Sequence, residues 1–274
     1  HRAPARLVMT ARLSPRRRQR ISRGVQYAVL IAVAVILILI ADWPSIQRSF
    51  FNLEVAEQGL PELFTVALVN TVIYTVTGYV LGFALGLPLA LMRLSSVPPY
   101  RWIARLYVEI FRGLPALVIF LLIGTGLPIA FPGFALPGGV YGSVALALAL
   151  VSAAYMAETF RAGLQAVPKG QMEAARSLGM SYSRAMVSIV IPQAVRIVVP
   201  PLTNELVLLF KDSSLVFILG VTSTQVELAK FGNDLASATA NPTPIIMAGA
   251  TYLLITIPLG YLARRLEARQ GKGL

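Results

Sequence analysis

Six apolar segments, at about residues 25–41, 63–92, 114–131, 140–160, 196–222 and 244–263, dominate this 274-residue chain. A run of roughly 20 apolar residues is long enough to cross the hydrocarbon core of a bilayer as a helix. In that medium every backbone donor and acceptor needs an internal partner, which makes an all-α integral membrane bundle of about six helices the expected fold. Composition agrees: 13% of residues are charged, against about 25% in a soluble domain. The first segment fits a signal peptide less well than a span. It is long for that role, and no small-residue cleavage site follows Asp42-Trp43-Pro44.

Charge sorts the connections. Basic residues fill the N-terminal arm (Arg2, Arg6, Arg12, Arg16, Arg17, Arg18, Arg20, Arg23). They recur in the second loop (Arg93, Arg101, Arg105, Arg112), the fourth (Arg161, Lys169, Arg176, Arg184) and the tail (Arg264, Arg265, Arg269, Lys272). The alternate loops hold Asp42, Glu54, Glu57, Glu62, then Glu227 and Asp234, and the 131–140 loop holds no charge. Cytoplasmic loops collect Lys and Arg, so both termini are expected in the cytosol of a multi-pass protein. The chain divides into a basic arm 1–24, an extra span with its external loop 25–62, a core 63–265 with a cytosolic loop about 161–195, and a tail 266–274. The arm belongs beside anionic headgroups as an unstructured polybasic block. It lacks the interleaved aromatics of single-strand binders, so no nucleic-acid partner is expected.

Cysteine is absent and the one histidine is His1. That removes disulfides, thiolate and histidine metal sites, and Ser-His-Asp or cysteine nucleophiles.

Within the membrane, Gly78, Gly82 and Gly86, followed by Ala90, fall on one helix face and permit close backbone approach. Packing inside one subunit and a dimer seam are both open. Asn70 and Thr71, one or two turns earlier, line a polar path or bond a neighbouring helix. Pro200-Pro201 stands near the start of the fifth span and Asp212-Ser213-Ser214 interrupts its middle. Broken backbone at membrane depth is tolerated only in protein or beside a wet cavity. Thr203, Asn204, Glu205, Lys211, Asp212 and Ser213 cluster there, and intramembrane ionisable groups are functional candidates by default. The alternative is a Lys211–Asp212 or Lys211–Glu205 pair that only neutralises charge. Tyr155 and Glu158 close the fourth span. Arg161, three residues on, suits an ion pair with Glu158, which is preferred here to a substrate contact.

The loop after that span reads as two short helices. Pro168 suits a first helical turn, and Gly179 suits a left-handed cap. Ala174 and Leu178 share a face with Ala175 beside them, small enough for close docking. Ser181 caps the second helix, which Pro192 then bends. An alanine-rich surface helix outside the membrane calls for a protein partner.

The stretch Gly170-Gln171-Met172-Glu173-Ala174-Ala175-Arg176-Ser177-Leu178-Gly179, closed by Ile189-Val190-Ile191-Pro192, resembles the polar amino-acid branch of bacterial ABC importer permeases. So do Pro200-Pro201-Leu202-Thr203-Asn204-Glu205, Lys211-Asp212-Ser213-Ser214, and Glu109-Ile110-Phe111-Arg112-Gly113-Leu114-Pro115. The resemblance covers about residues 63–265. Ile191 stands where that branch usually has Leu, and the arm and first span lie outside its five-span core.

The resemblance implies an inner-membrane permease subunit paired with a second, identical or related permease. It also implies two copies of a cytosolic ABC ATPase and an extracytoplasmic amino-acid-binding protein. On it, Gln171, Glu173, Ala174, Ala175, Arg176, Leu178 and Gly179 couple to the ATPase. The substrate path would use Asn70, Thr71, Tyr155, Glu158 and the fifth-span cluster. The chain's only Gly-Lys is Gly271-Lys272 in the tail, so it has no Gly-x4-Gly-Lys-Ser/Thr loop to cradle ATP. ATP and Mg are therefore the partner's cofactors, and this chain is expected to bind none and catalyse nothing. A polar or acidic amino acid such as glutamate is the expected cargo. The rival reading, an ion-coupled secondary amino-acid transporter, needs an ion site and usually an internal repeat, and no duplicated half is visible. A membrane enzyme lacks a catalytic constellation.

Overall fold

The computed structural model describes residues 15–270, which divide into two units, residues up to Phe51 and from Asn52 onward. No strand occurs among the described residues. In the first unit α1 (Pro15–Ile40) is followed by α2 (Trp43–Phe50). Asp42 caps α2, its carboxylate accepting from the Ser45 amide at 3.2 Å and the Ser45 hydroxyl at 2.6 Å. Those bonds hold the Asp42 carboxyl below the usual carboxylate range. The basic arm, expected to be unstructured, is helical from Pro15. Proline suits a first helical position, and extending a helix that is already nucleated costs little per residue. Arm residues 1–14 and tail residues 271–274 lie outside the described part.

In the second unit, α3 (Leu53–Glu62) passes through a π-helical turn, Leu63–Ala67, into α4 (Leu68–Leu94). Next come α5 (Pro98–Gly113) and α6 (Ala116–Leu121), a second π turn (Leu122–Gly126), and α7 (Leu127–Ala130). α8 (Val140–Ala166) leads to α9 (Lys169–Ser177) and α10 (Tyr182–Ala185). A third π turn, Met186–Val190, precedes α11 (Ile191–Asp212), which tightens to a 3-10 segment, Ser213–Leu219. α12 (Leu228–Thr239) and α13 (Thr243–Gln270) finish the bundle. Among the described residues five helices are long and apolar enough to cross a membrane, or six if the bent pair α5 and Ala116–Ala130 counts as one span.

Prolines place the breaks. Val97, Leu114 and Val167 each precede a proline and each is extended, with ψ of 113°, 139° and 126°. The proline ring crowds the preceding residue out of the helical region. The break at Leu114-Pro115 is a corner of 104° between α5 and the helix that follows. Pro168 therefore sits at the N-cap of α9, one position before the first-turn place expected for it.

Two further expectations are corrected. The fifth span begins far upstream of residue 196, as one helical run Tyr182–Leu219, and Pro200-Pro201 lie inside α11 without breaking it. Proline's fixed φ is itself helical, and α8 and α13 pack along α11. Pro192 likewise follows a widened π turn, which takes up its missing donor where a bend was expected.

The core is built on α4 against α8. Gly78 and Gly86 face Leu148 and Met156, where an added Cβ would come within 2.5 and 3.0 Å, and at Gly82 it would overlap Ser152. The glycine face is thus a packing seam within one subunit. Tyr74, Phe120, Leu148 and Met156 fill the centre, and Leu63, Leu228 and Phe231 form a smaller cluster at the end that carries α12.

Candidate functional site

Three places gather the candidate residues. The first is the α9 handle. Its last turn closes as a Schellman cap: the Met180 amide donates to the Ala175 carbonyl at 3.1 Å and the Gly179 amide to that of Arg176 at 3.0 Å. Gly179 has φ +85°, as this motif requires. The Arg176 guanidinium adds a bond to the Met180 carbonyl at 2.9 Å. Ser181 caps α10 through the Arg184 amide. Met172 packs onto a small cluster of Val167, Val190 and Ala194, and Ala175 is buried. Gln171, Glu173 and Ala174 face outward, and Leu178 is 85% exposed. Ala175, grouped above with the docking surface, instead seats the helix on its own subunit.

The second place is α11. Asn204, Leu208 and Lys211 recur at three- and four-residue spacing and are exposed along one face. On that face Asn204 and Lys211 are costly in lipid unless protein or water covers them. Thr203 turns back to the Val199 carbonyl at 2.8 Å. Glu205 and Asp212 are half-buried. Among the described residues no carboxylate lies within 4.0 Å of Lys211, so neither neutralising pair forms. Ser213 is buried and bonds the Phe210 carbonyl at 2.7 Å. It starts the 3-10 turn and does not face an open path.

The third is a cavity of about 400 Å³ near the end of α8 that leads to α9, lined by Arg93, Glu109, Arg112, Tyr155 and Glu158. Glu158 is bridged by Arg161, as expected, and also by Arg93 at 2.5 Å. The Arg112 guanidinium stands 5.3 Å from the centre of the Tyr155 ring. The arrangement offers guanidinium, carboxylate and aromatic surfaces to one small zwitterion. Arg93, Glu109 and Arg112, which the sequence does not single out for a path, share this lining with the expected Tyr155 and Glu158. Glu109 and Arg112 stood in a recognised motif, but only the corner at Leu114-Pro115 turns them toward α8.

Asn70 and Thr71 take the second of the two roles open to them. The Asn70 amide donates to the Thr224 and Val226 carbonyls, both at 2.9 Å, and accepts from the Tyr141 hydroxyl at 2.7 Å. Thr71 accepts from the Leu228 amide at 3.1 Å. Both are buried and stitch α4 to the strap before α12. In that strap Glu227 is fully buried, accepting from the Ala229 and Lys230 amides at 2.6 Å and the Tyr252 hydroxyl at 2.7 Å. Burial still raises its carboxyl above the usual range.

Residues 78–272 match the family described as binding-protein-dependent transport system inner membrane component. A Bacillus subtilis (strain 168) protein named as a probable glutamine ABC transporter permease, GlnM, is 41% identical over 203 residues, 72% of this chain and 90% of the relative. The arginine transport system permease protein ArgU of Corynebacterium glutamicum is 35% identical over 250 residues, 85% of this chain and 75% of its own. A solved structure titled as an amino acid ABC transporter with histidines superposes with a TM-score of 0.70 at 36% identity, covering 78% of this chain and 96% of that one.

Proposed function

Because the chain belongs to the binding-protein-dependent transport system inner membrane component family, as a permease subunit of an amino-acid ABC importer, we propose that α9 is the part a separate cytosolic ATPase grips. The carrying observation is the α9 cap, which holds Leu178, Ala174 and Gln171 outward on a helix too short to stand alone. Two ATPase copies, a second permease and an extracytoplasmic amino-acid-binding protein complete the assembly. The termini and α9 face the cytosol, in keeping with the basic loops. ATP and Mg act in the ATPase alone.

The cargo in this reading is a neutral polar or acidic amino acid such as glutamate. Glu158, already shared by two arginines, has no spare charge for a cationic side chain. The relatives' names, glutamine for one and arginine for another, bracket a polar amino acid. The α11 stripe of Asn204 and Lys211 lines the path where the two permeases meet, which supplies the cover its polarity needs.

The test is uptake of labelled amino acids by the reconstituted complex, with copurification of the ATPase measured beside it. Ala174→Trp and Glu173→Lys should lower both while the bundle still inserts. Lys211→Ala and Asn204→Ala should lower uptake, or change which amino acid competes, without loss of the ATPase. Normal ATPase binding and uptake in the first pair sinks the coupling role, and unchanged uptake and selectivity in the second pair sinks the path.

A further inference from the structure

We infer that α5 is a docking surface for anionic phospholipid. The helix has three faces. Ala104 and Val108 are buried against α4 and α8. Trp102, Ile103, Leu106 and Ile110 form an exposed apolar stripe, with Trp102 77% exposed. Between these faces, at the helical spacing that puts i and i+4 side by side, stand Arg101 and Arg105, both exposed.

Orientation gives the pattern its meaning. The helix after the Leu114-Pro115 corner is the third apolar segment, and α5 leaves it at 104°. If that helix follows the membrane normal, α5 lies close to the membrane plane. A helix in that plane with one apolar and one basic face rests at the boundary of headgroups and acyl chains. Tryptophan favours that depth. Arg101 also bonds the Ser95 and Ser96 carbonyls at 2.8 and 2.9 Å, tying the end of α4 to the same level. Among the described residues no carboxylate lies within 4.0 Å of Arg105. Its charge is therefore available to a headgroup phosphate, and anionic lipid, rather than a second protein, is the occupant that matches both the stripe and the charge.

The chain has two tryptophans, so Trp43→Phe leaves Trp102 as the only reporter. This variant, as the full chain, is placed in nanodiscs of mixed phosphatidylglycerol and phosphatidylcholine, with one or the other brominated on its acyl chains. Brominated phosphatidylglycerol should quench Trp102 more than its bulk fraction predicts. Arg105→Gln should reduce that preference by about fivefold, the effect of one basic residue near an anionic surface. Arg105→Lys should keep it. Equal quenching by the two lipids, an Arg105→Gln variant with unchanged preference, or the absence of quenching by either lipid overturns the inference. The last result would mean that protein covers the stripe.

Discussion

Gly179→Val isolates backbone conformation from packing. Nothing lies within 4 Å of a Cβ built on Gly179, so a larger side chain meets no neighbour. What it meets is φ +85°, which costs an L-residue about 1–2 kcal/mol, with β-branched residues at the upper end. The opposing force is the pair of cap bonds from Met180 and Gly179, each contributing a net of about 1 kcal/mol. The two nearly cancel, so the valine chain divides between capped and opened forms. A change of 1–2 kcal/mol shifts the ratio by roughly 5- to 30-fold, which sets the ceiling on lost ATPase affinity if only the capped form docks. Asparagine tolerates the left-handed region, so Gly179→Asn should lose least and Gly179→Ala an intermediate amount. ATPase affinity and uptake in proteoliposomes should follow that order while the melting temperature of the permease stays within a degree or two of the parent. Equal coupling in all three variants would refute the reasoning.

Gly82→Ala should cost about 1–3 kcal/mol by overpacking against Ser152. A second change, Ser152→Ala, should recover part of the loss, read from thermal unfolding in detergent. Glu227 holds its proton to higher pH in the fold than when unfolded. Its contribution is fully present below the usual value of 4.5 and is lost as pH rises from there through the raised folded value, so Glu227→Gln should flatten stability against pH between those two points. For topology, cysteines replacing Ser49 and Ser237 should react with an impermeant reagent on intact cells and one replacing Ser177 should not. Labelling of the Ser177 variant reverses the assigned orientation.

Features decided by a few adjacent residues were legible in the sequence. The cap at Gly179, the Ser181 N-cap and the Glu158–Arg161 pair each depend on groups within five positions. Features decided across the bundle were not. Asn70 and Thr71 have the residue types of a polar path, and only the folded chain brings the strap from 224 to 228 over them. Pro200-Pro201 looks like a break because proline lacks a donor, yet packing by α8 and α13 keeps α11 continuous. Ala174 and Ala175 are indistinguishable by type, and only the folded loop turns Ala175 inward and leaves Ala174 exposed. The cavity is not legible in the sequence for a similar reason: Arg93, Glu109 and Glu158 come from three helices.

The strap bonds at Asn70 also bear on how the chain is made. Asn70 must enter the bilayer with its span, but its acceptor at Thr224 lies 154 residues later. At a synthesis rate of about 5–20 residues per second, that separation lasts roughly 8–30 s. During that interval the Asn70 amide has no carbonyl from the strap, and an unpaired amide in hydrocarbon is costly. The nascent α4 therefore passes through a stage in which the insertion machinery, a lipid headgroup or water must satisfy Asn70. The strap bonds to Asn70 therefore close only once residues 224–226 have been made.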